Sequence, residues 1–215
     1  TPALGRGGAG EAAQGIRLVT CALSLSGGWH AAGVLADAVL PHQDAPGSAR
    51  VFGPKAHGAW SLHATSTASS MHAFALFSSV AALLGGAGQA NYSAANACLD
   101  ALATSRRTCG VAAASVQWGP WAVVGMAATD QTIAKRWRAQ GYGLVDLTLG
   151  LAALGAASRP NSPAVLGVVP AVWSTMLRGA SHTPAFLERV ASAPVGLQLA
   201  SSERGGLDLP TVLEL

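Results

Sequence analysis

Three apolar runs in the sequence end in residues that could do chemistry. Ser78-Ser79 closes AFALFSS, Trp118-Gly119-Pro120-Trp121 follows AAASVQ, and His30-Ala31-Ala32-Gly33 follows Trp29. Tyr92 lies just beyond the first run, with Asn96 four residues later. On a helix that spacing sets the two side by side. Reducing a ketone takes a hydride donor and an acid that protonates the nascent alkoxide. A phenol, with a reference pKa of about 10, serves if a cation lowers it. Lys55 is the only lysine before Lys135 and the sole nearby candidate for that cation. Ser79 would be a second donor to the carbonyl oxygen, stabilising charge as it develops. Taken singly, Tyr92 also fits a packed core tyrosine and Lys55 a surface charge.

These groups need elements to position them. Residues 73–79 form a short apolar run bounded by turn residues, the mark of a buried parallel strand. Residues 112–118 and 164–172 read the same way, residues 16–25 form a further possible strand, and Trp29–Gly33 looks like a strand end. Helices are expected over 49–68 with Pro54 early, over 91–107 closed by Cys109-Gly110, over a charged 132–140 and over 145–157. Gly85–Gly88 is a loop, and 207–215 is a docking helix or a tail. Strands alternating with helix-length crossovers predict an α/β fold, a Rossmann-like parallel sheet with helices on both faces. Such sheets bind ligands at the carboxyl ends of their strands, where the three chemical segments fall.

The composition is 50% hydrophobic and 11% charged, which allows a sizeable core and opposes bulk disorder. The formal net charge is +3, and the small clusters Arg106-Arg107 and Lys135–Arg138 read as solvated helix ends. A nucleic-acid partner is not indicated. Three cysteines without a CxxC pair and six histidines without HExxH suggest neither a disulfide framework nor a metal site. A reducing, cytoplasm-like compartment fits. No signal or membrane-spanning pattern is found, and a start at Thr1 suggests an excerpt of something longer.

Four segments together resemble the ketoreductase domains of modular type I polyketide synthases, within the short-chain dehydrogenase/reductase superfamily. They are HAAGVLADAVL at 30–40, GPKAHGAWSLH at 53–63, FSSVAALLGGAGQANYSAANACLDALA at 77–103 and SVQWGPWAVVGMA at 115–127. Four motifs in order are far more specific than any one. A weaker similarity continues through GYGLVDLTLGLAALGAA and PAVLGVVPAVW. The resemblance implies NADPH-dependent reduction of a β-ketoacyl thioester on an acyl carrier protein, beside neighbouring synthase domains. It puts the catalytic set on Tyr92, Ser79, Lys55 and Asn96. Most short-chain dehydrogenases carry lysine four residues after the tyrosine; Asn96 there, with lysine on the earlier helix, is typical of synthase ketoreductases. Cofactor-binding residues are implied at His30, Ala31, Ala32, Gly33, Trp118, Gly119, Pro120 and Trp121. Substrate and stereocontrol positions fall on Asp37, Leu84, Gln89 and Met126, the last near the entrance under a lid that follows Trp121. Leu35-Ala36-Asp37 keeps one acid of the family's LeuAspAsp motif, and Leu84 stands where the other stereochemical class has Trp. Both signs imply a D-configured, B-type hydroxyl product.

The pattern breaks at the N-terminus. Gly5–Gly10 has the glycines of a phosphate loop but no apolar strand before it, and lies close to His30. It reads as a flexible leader, and no Arg for a 2′-phosphate is assignable. The expected organisation is therefore a leader and remnant of the nucleotide-binding half at 1–27, a catalytic region at 28–175 and a C-terminal linker or tail at 176–215. Missing strands would leave exposed sheet edges, so marginal stability is expected. Two other functions stand beside the reductase: a non-catalytic structural remnant of a synthase, and a stand-alone short-chain reductase, which Asn96 disfavours.

Overall fold

Side chains alternate across a strand, and this chain uses the alternation to build two cores on one sheet. In β2 (Ala73–Ser79), Phe74 and Leu76 join one apolar cluster while Phe77 packs against the other. In β3 (Ala114–Trp118), Val116 and Trp118 turn toward the second cluster, whereas Ser115 and Gln117 point oppositely and bond to Asp100. All five residues of β3 are buried, as expected of an interior parallel strand. This is a computed structural model, and the residues it describes are 26–66, 71–122, 131–178, 183, 185–188 and 212–214. The strand expected at 16–25, the glycine-rich leader and Met126 lie outside the described residues.

The sheet runs β1 (Gly27–His30), β2, β3, β4 (Val165–Val168) and β5 (Val212–Glu214), in sequence order. The first four strands are parallel, and β5 pairs antiparallel with β4. Residues 212–214 are therefore neither a docking helix nor a free tail, but the last strand of the sheet. The strand expected at 164–172 is shorter because Pro170, which has no N–H for a ladder, closes it early.

Between β1 and β2 the chain forms α1 (Ala45–Phe52), a π turn (Gly53–His57) and α2 (Gly58–Ser66) without a break. The helix starts earlier than expected because the Asp44 carboxylate accepts from Gly47 N at 2.7 Å and caps it. Pro54 does not end it. Lacking an N–H, it sits where the helix widens into the π turn. After β2 come the short α3 (Ala81–Leu84) and the long α4 (Ala90–Thr108), which stops where Gly110 takes a positive φ of 73°. Then follow α5 (Gln131–Ala139), α6 (Leu147–Ala157, capped by Asp146 on Leu149 N) and α7 (Trp173–Met176). Val145, expected inside α6, instead precedes it as buried extended chain bonded to Pro120 O.

α2 and α4 pack on Phe74 and Leu76, while α6 packs on Val116, Trp118, Leu166 and Val168. Helices thus cover both faces. The sheet always advances in one direction, so the crossover through α6 has the opposite hand to the first two. No helix among the described residues is long and apolar enough to cross a membrane.

One buried cation ties α2 to α4. Arg106 is 2% exposed, stacks 3.9 Å from the Phe74 ring centroid, donates to Ala112 O and lies 2.8 Å from His63 Nδ1. A guanidinium only donates, so His63 Nδ1 must accept and the ring must be neutral. Burial, then the Arg106 charge, hold His63 below its ordinary value of 6.5. The unfolded chain therefore takes up this proton first. Stability is complete above about pH 6.5 and declines as the pH falls through the lower folded-state value. Urea midpoints should drop between pH 7.5 and pH 5.5, and His63→Gln should flatten that drop.

Candidate active site

The carboxyl ends of β1, β2 and β3 open onto one cavity of about 270 Å³. Register makes this possible: Ser79 pairs with Trp118 across β2 and β3, so the two chemical segments end side by side. From the β1 end come Ala31, Gly33 and Val34; from β2, Phe77, Ser78 and Ser79; from β3 and its turn, Trp118, Gly119, Pro120 and Trp121. Lys55 enters from the π turn, Tyr92 from α4 and Gln89 from just before it.

Lys55 is not a surface charge: it is 4% exposed. Its Nζ donates to Phe77 O at 3.0 Å and stands 5.2 Å from the Tyr92 ring centroid, over the negative face of the ring. Burial pushes its pKa down to about 8, against the opposing pull of Asp100. Asp100 was not legible as a site residue. It lies on α4 one turn past Asn96 and two past Tyr92, and accepts from Ser115 Oγ at 2.6 Å and Gln117 Nε2 at 2.8 Å. The only signal in the sequence is the spacing 92, 96, 100, one stripe on a helix.

The Ser79 hydroxyl accepts from Ala81 N at 3.2 Å, so its own proton can be given to a ligand. Asn96 does sit beside Tyr92 but behind the cavity. It is fully buried, donates Nδ2 to Tyr92 O at 2.8 Å, and leaves Oδ1 buried without a hydrogen-bond partner. Ser78 Oγ donates to Asn96 O, tying the strand end to the same helix turn.

Other expected residues are distributed unevenly. Ala31, Gly33, Trp118, Gly119, Pro120 and Trp121 line the cavity; Ala32 is exposed outside it. The His30 ring is buried away from the cavity, its Nε2 2.9 Å from Pro54 O. Leu84 packs against Val80, Val169 and Trp173 rather than on the wall. Asp37 is exposed and accepts from Gln89 Nε2 at 3.1 Å, so it touches the cavity through Gln89. Among the lining residues that escaped the sequence reading are two aromatics, Trp137 and Tyr142, packed edge to face at 4.8 Å. They arrive through Gly141, whose φ of 92° and close approach to Met176 leave no room for a Cβ. On the far wall Trp118 stacks between Phe77 and Trp121, and Trp121 lies against Gly150 of α6, where a Cβ would collide with it.

Comparison with known proteins identifies the family and the fold. Residues 13–123, more than half of the chain, match the family model of the KR domain. The chain is 39% identical over 188 residues to the spectinabilin polyketide synthase system protein NorB of Streptomyces orinoci, covering 81% of this chain and 8% of that protein. It is 43% identical over 146 residues to the pikromycin polyketide synthase component PikAII of Streptomyces venezuelae, covering 65% of this chain and 4% of the other. Among solved structures, an A-type ketoreductase from a modular polyketide synthase superposes with a TM-score of 0.73 at 32% identity, covering 81% of this chain and 38% of that one. PlmKR1, the ketoreductase from the first module of phoslactomycin biosynthesis in Streptomyces sp. HK803, gives 0.71 at 33% identity, covering 79% and 39%. The chain thus spans less than a tenth of these synthases and about two fifths of these solved ketoreductases. Sequence, sheet and cavity converge: the chain belongs to the KR family, the ketoreductase domains of modular polyketide synthases.

Proposed function

We propose that this chain carries the catalytic centre for NADPH-dependent reduction of a β-ketoacyl thioester, borne on an acyl carrier protein, to a D-configured β-hydroxyacyl thioester. The observation that carries the reading is the burial of Lys55 against Tyr92 on the cavity that also holds Ser79. A desolvated ammonium has one strong reason to be kept in a core: a neighbour that becomes negative. Tyr92 is that neighbour. Its phenol gives a proton to the reduced carbonyl oxygen, and the Lys55 charge stabilises the phenolate left behind. Ser79 donates to the same oxygen and orients it. Asn96, bonded to Tyr92 O, fixes the helix turn that presents the phenol.

The residues suit the reactive end of a nicotinamide cofactor. Gly33 and Ala31 add little bulk to the lining, and Trp118, Gly119, Pro120 and Trp121 add two indole rings and a tight turn to the same cavity. When bound, the cofactor supplies the hydride. Its diphosphate has no evident holder among the described residues: Lys55 is the only cation lining the cavity. That observation favours a second reading, a structural domain that keeps the centre without turning over.

A fluorescence titration of this polypeptide with NADPH tests the proposal. Saturable binding at micromolar concentration, followed by reduction of a carrier-bound β-ketothioester, is the expected result. Absence of binding would favour the structural reading for the chain alone. Chiral chromatography of the product tests the stereochemistry, and a mostly L-configured alcohol would overturn the D assignment.

A further inference from the structure

The strand end His30-Ala31-Ala32-Gly33 meets the lysine-bearing turn twice. The His30 imidazole is 6% exposed, and its Nε2 lies 2.9 Å from Pro54 O. A carbonyl only accepts, so Nε2 carries the proton and Nδ1, buried without a partner, is bare. Pro54 O is open to this bond because of the π turn. Gly58 N–H bonds to Gly53 O and Lys55 O, not to Pro54 O as in an α-helix. The fit is close on both sides of the turn. A Cβ at Gly58 would sit 3.0 Å from His30 Nε2, and a Cβ at Gly33 would sit 2.9 Å from Lys55 Cε.

Resting on the reading of Lys55 as the partner of Tyr92, we infer that His30 is a positioning residue: its Nε2–H bond to Pro54 O fixes the π turn and thereby holds the Lys55 ammonium at Phe77 O and over the Tyr92 ring. Lysine stems are long and their ammonium groups seek water. Lys55 is one residue past Pro54, so a turn pinned at Pro54 O keeps its stem from swinging out. Burial opposes a second proton on the His30 ring, the bond to Pro54 O favours one and the nearby Lys55 charge opposes it; burial prevails, and the pKa is lowered. The groups facing Lys55 are His30 from β1 and Tyr92 and Asp100 from α4.

The chain contains only two lysines, Lys55 and Lys135, which makes the test direct. Protein grown on ε-13C lysine gives two resonances, and Lys135, exposed on α5, is the internal reference. In the native chain Lys55 should titrate at about 8. In His30→Leu the released turn lets Nζ reach water, and the Lys55 midpoint should rise by about one unit or more, with Lys135 unmoved and the thermal transition still cooperative. His30→Gln retains an N–H donor and should return the midpoint close to the native value. Should the leucine variant fail to fold, Gly58→Ala, which pushes the ring off Pro54 O, should raise the midpoint in its place. An unmoved Lys55 in folded His30→Leu or Gly58→Ala would overturn the inference, as would a glutamine variant that behaves like leucine. The titration needs neither cofactor nor turnover. An inactive chain with a moved midpoint would refute the proposed function and leave the positioning role standing, and an active chain with an unmoved one would do the reverse.

Discussion

Tyr92→Phe should lower turnover by about 10²- to 10⁴-fold, the usual contribution of a positioned general acid, without changing the fold. The substitution removes one hydroxyl from a half-buried ring on the wall of the cavity. The ring remains, and with it the contact to Lys55 and the Asn96 bond to the Tyr92 carbonyl. Cofactor affinity and melting temperature should therefore stay near native values. Single-turnover measurement at saturating NADPH separates this loss of chemistry from a loss of binding. A structural domain would have no turnover for the substitution to change, so a native chain that reduces substrate and a phenylalanine variant that does not would discard that reading. A variant with full activity would remove Tyr92 from the mechanism.

Lys55→Met should abolish reduction and also make the protein more stable at neutral pH, by about 1–3 kcal/mol. The two effects share a cause. The ammonium is 4% exposed, makes one hydrogen bond, to Phe77 O, and has its pKa depressed from 10.5 to about 8, chiefly by burial. A lysine whose folded value is depressed contributes stability that is complete above its unfolded value and lost as the pH falls through its folded value. Below about pH 8 the native chain therefore carries a buried charge that methionine, of similar length and without charge, does not. The gain should be largest at pH 7 and nearly absent at pH 10.5, as read from urea midpoints. A destabilised methionine variant at pH 7 would show that packing and the Phe77 bond outweigh desolvation.

The parts of this site that were legible in the sequence are those that rest on periodicity. AFALFSS and AAASVQW are short apolar runs with polar ends, so the strands and the chemistry at their tips can be read together. The spacing from Tyr92 to Asn96 gave their shared helix turn. What could not be read depends on contacts between distant segments. Nothing local marks Asp100 as a bonded partner of Ser115 and Gln117, because that network closes only when α4 lies on β3. The family resemblance implied a cofactor contact at His30; the ring instead turns inward, where Pro54 presents a carbonyl from the π turn. Trp137 and Tyr142 reached the cavity through a glycine conformation that spacing does not encode. β5 is three residues long, too short for any period to declare itself.

Strand order in space equals strand order in sequence, from β1 to β5. As the chain leaves a ribosome, each described strand after β1 meets an edge that is already standing, and none of these strands has to be threaded between two others. The sheet can grow by accretion, with its longest waits at the helical connections. β5 reverses direction as it arrives, and the antiparallel register it makes on Gly167 and its neighbours is the last to form. Pulse-labelled nascent chains arrested just before residue 212 should already protect the amides of β2 and β3, with the side of β4 that β5 later covers still open to exchange.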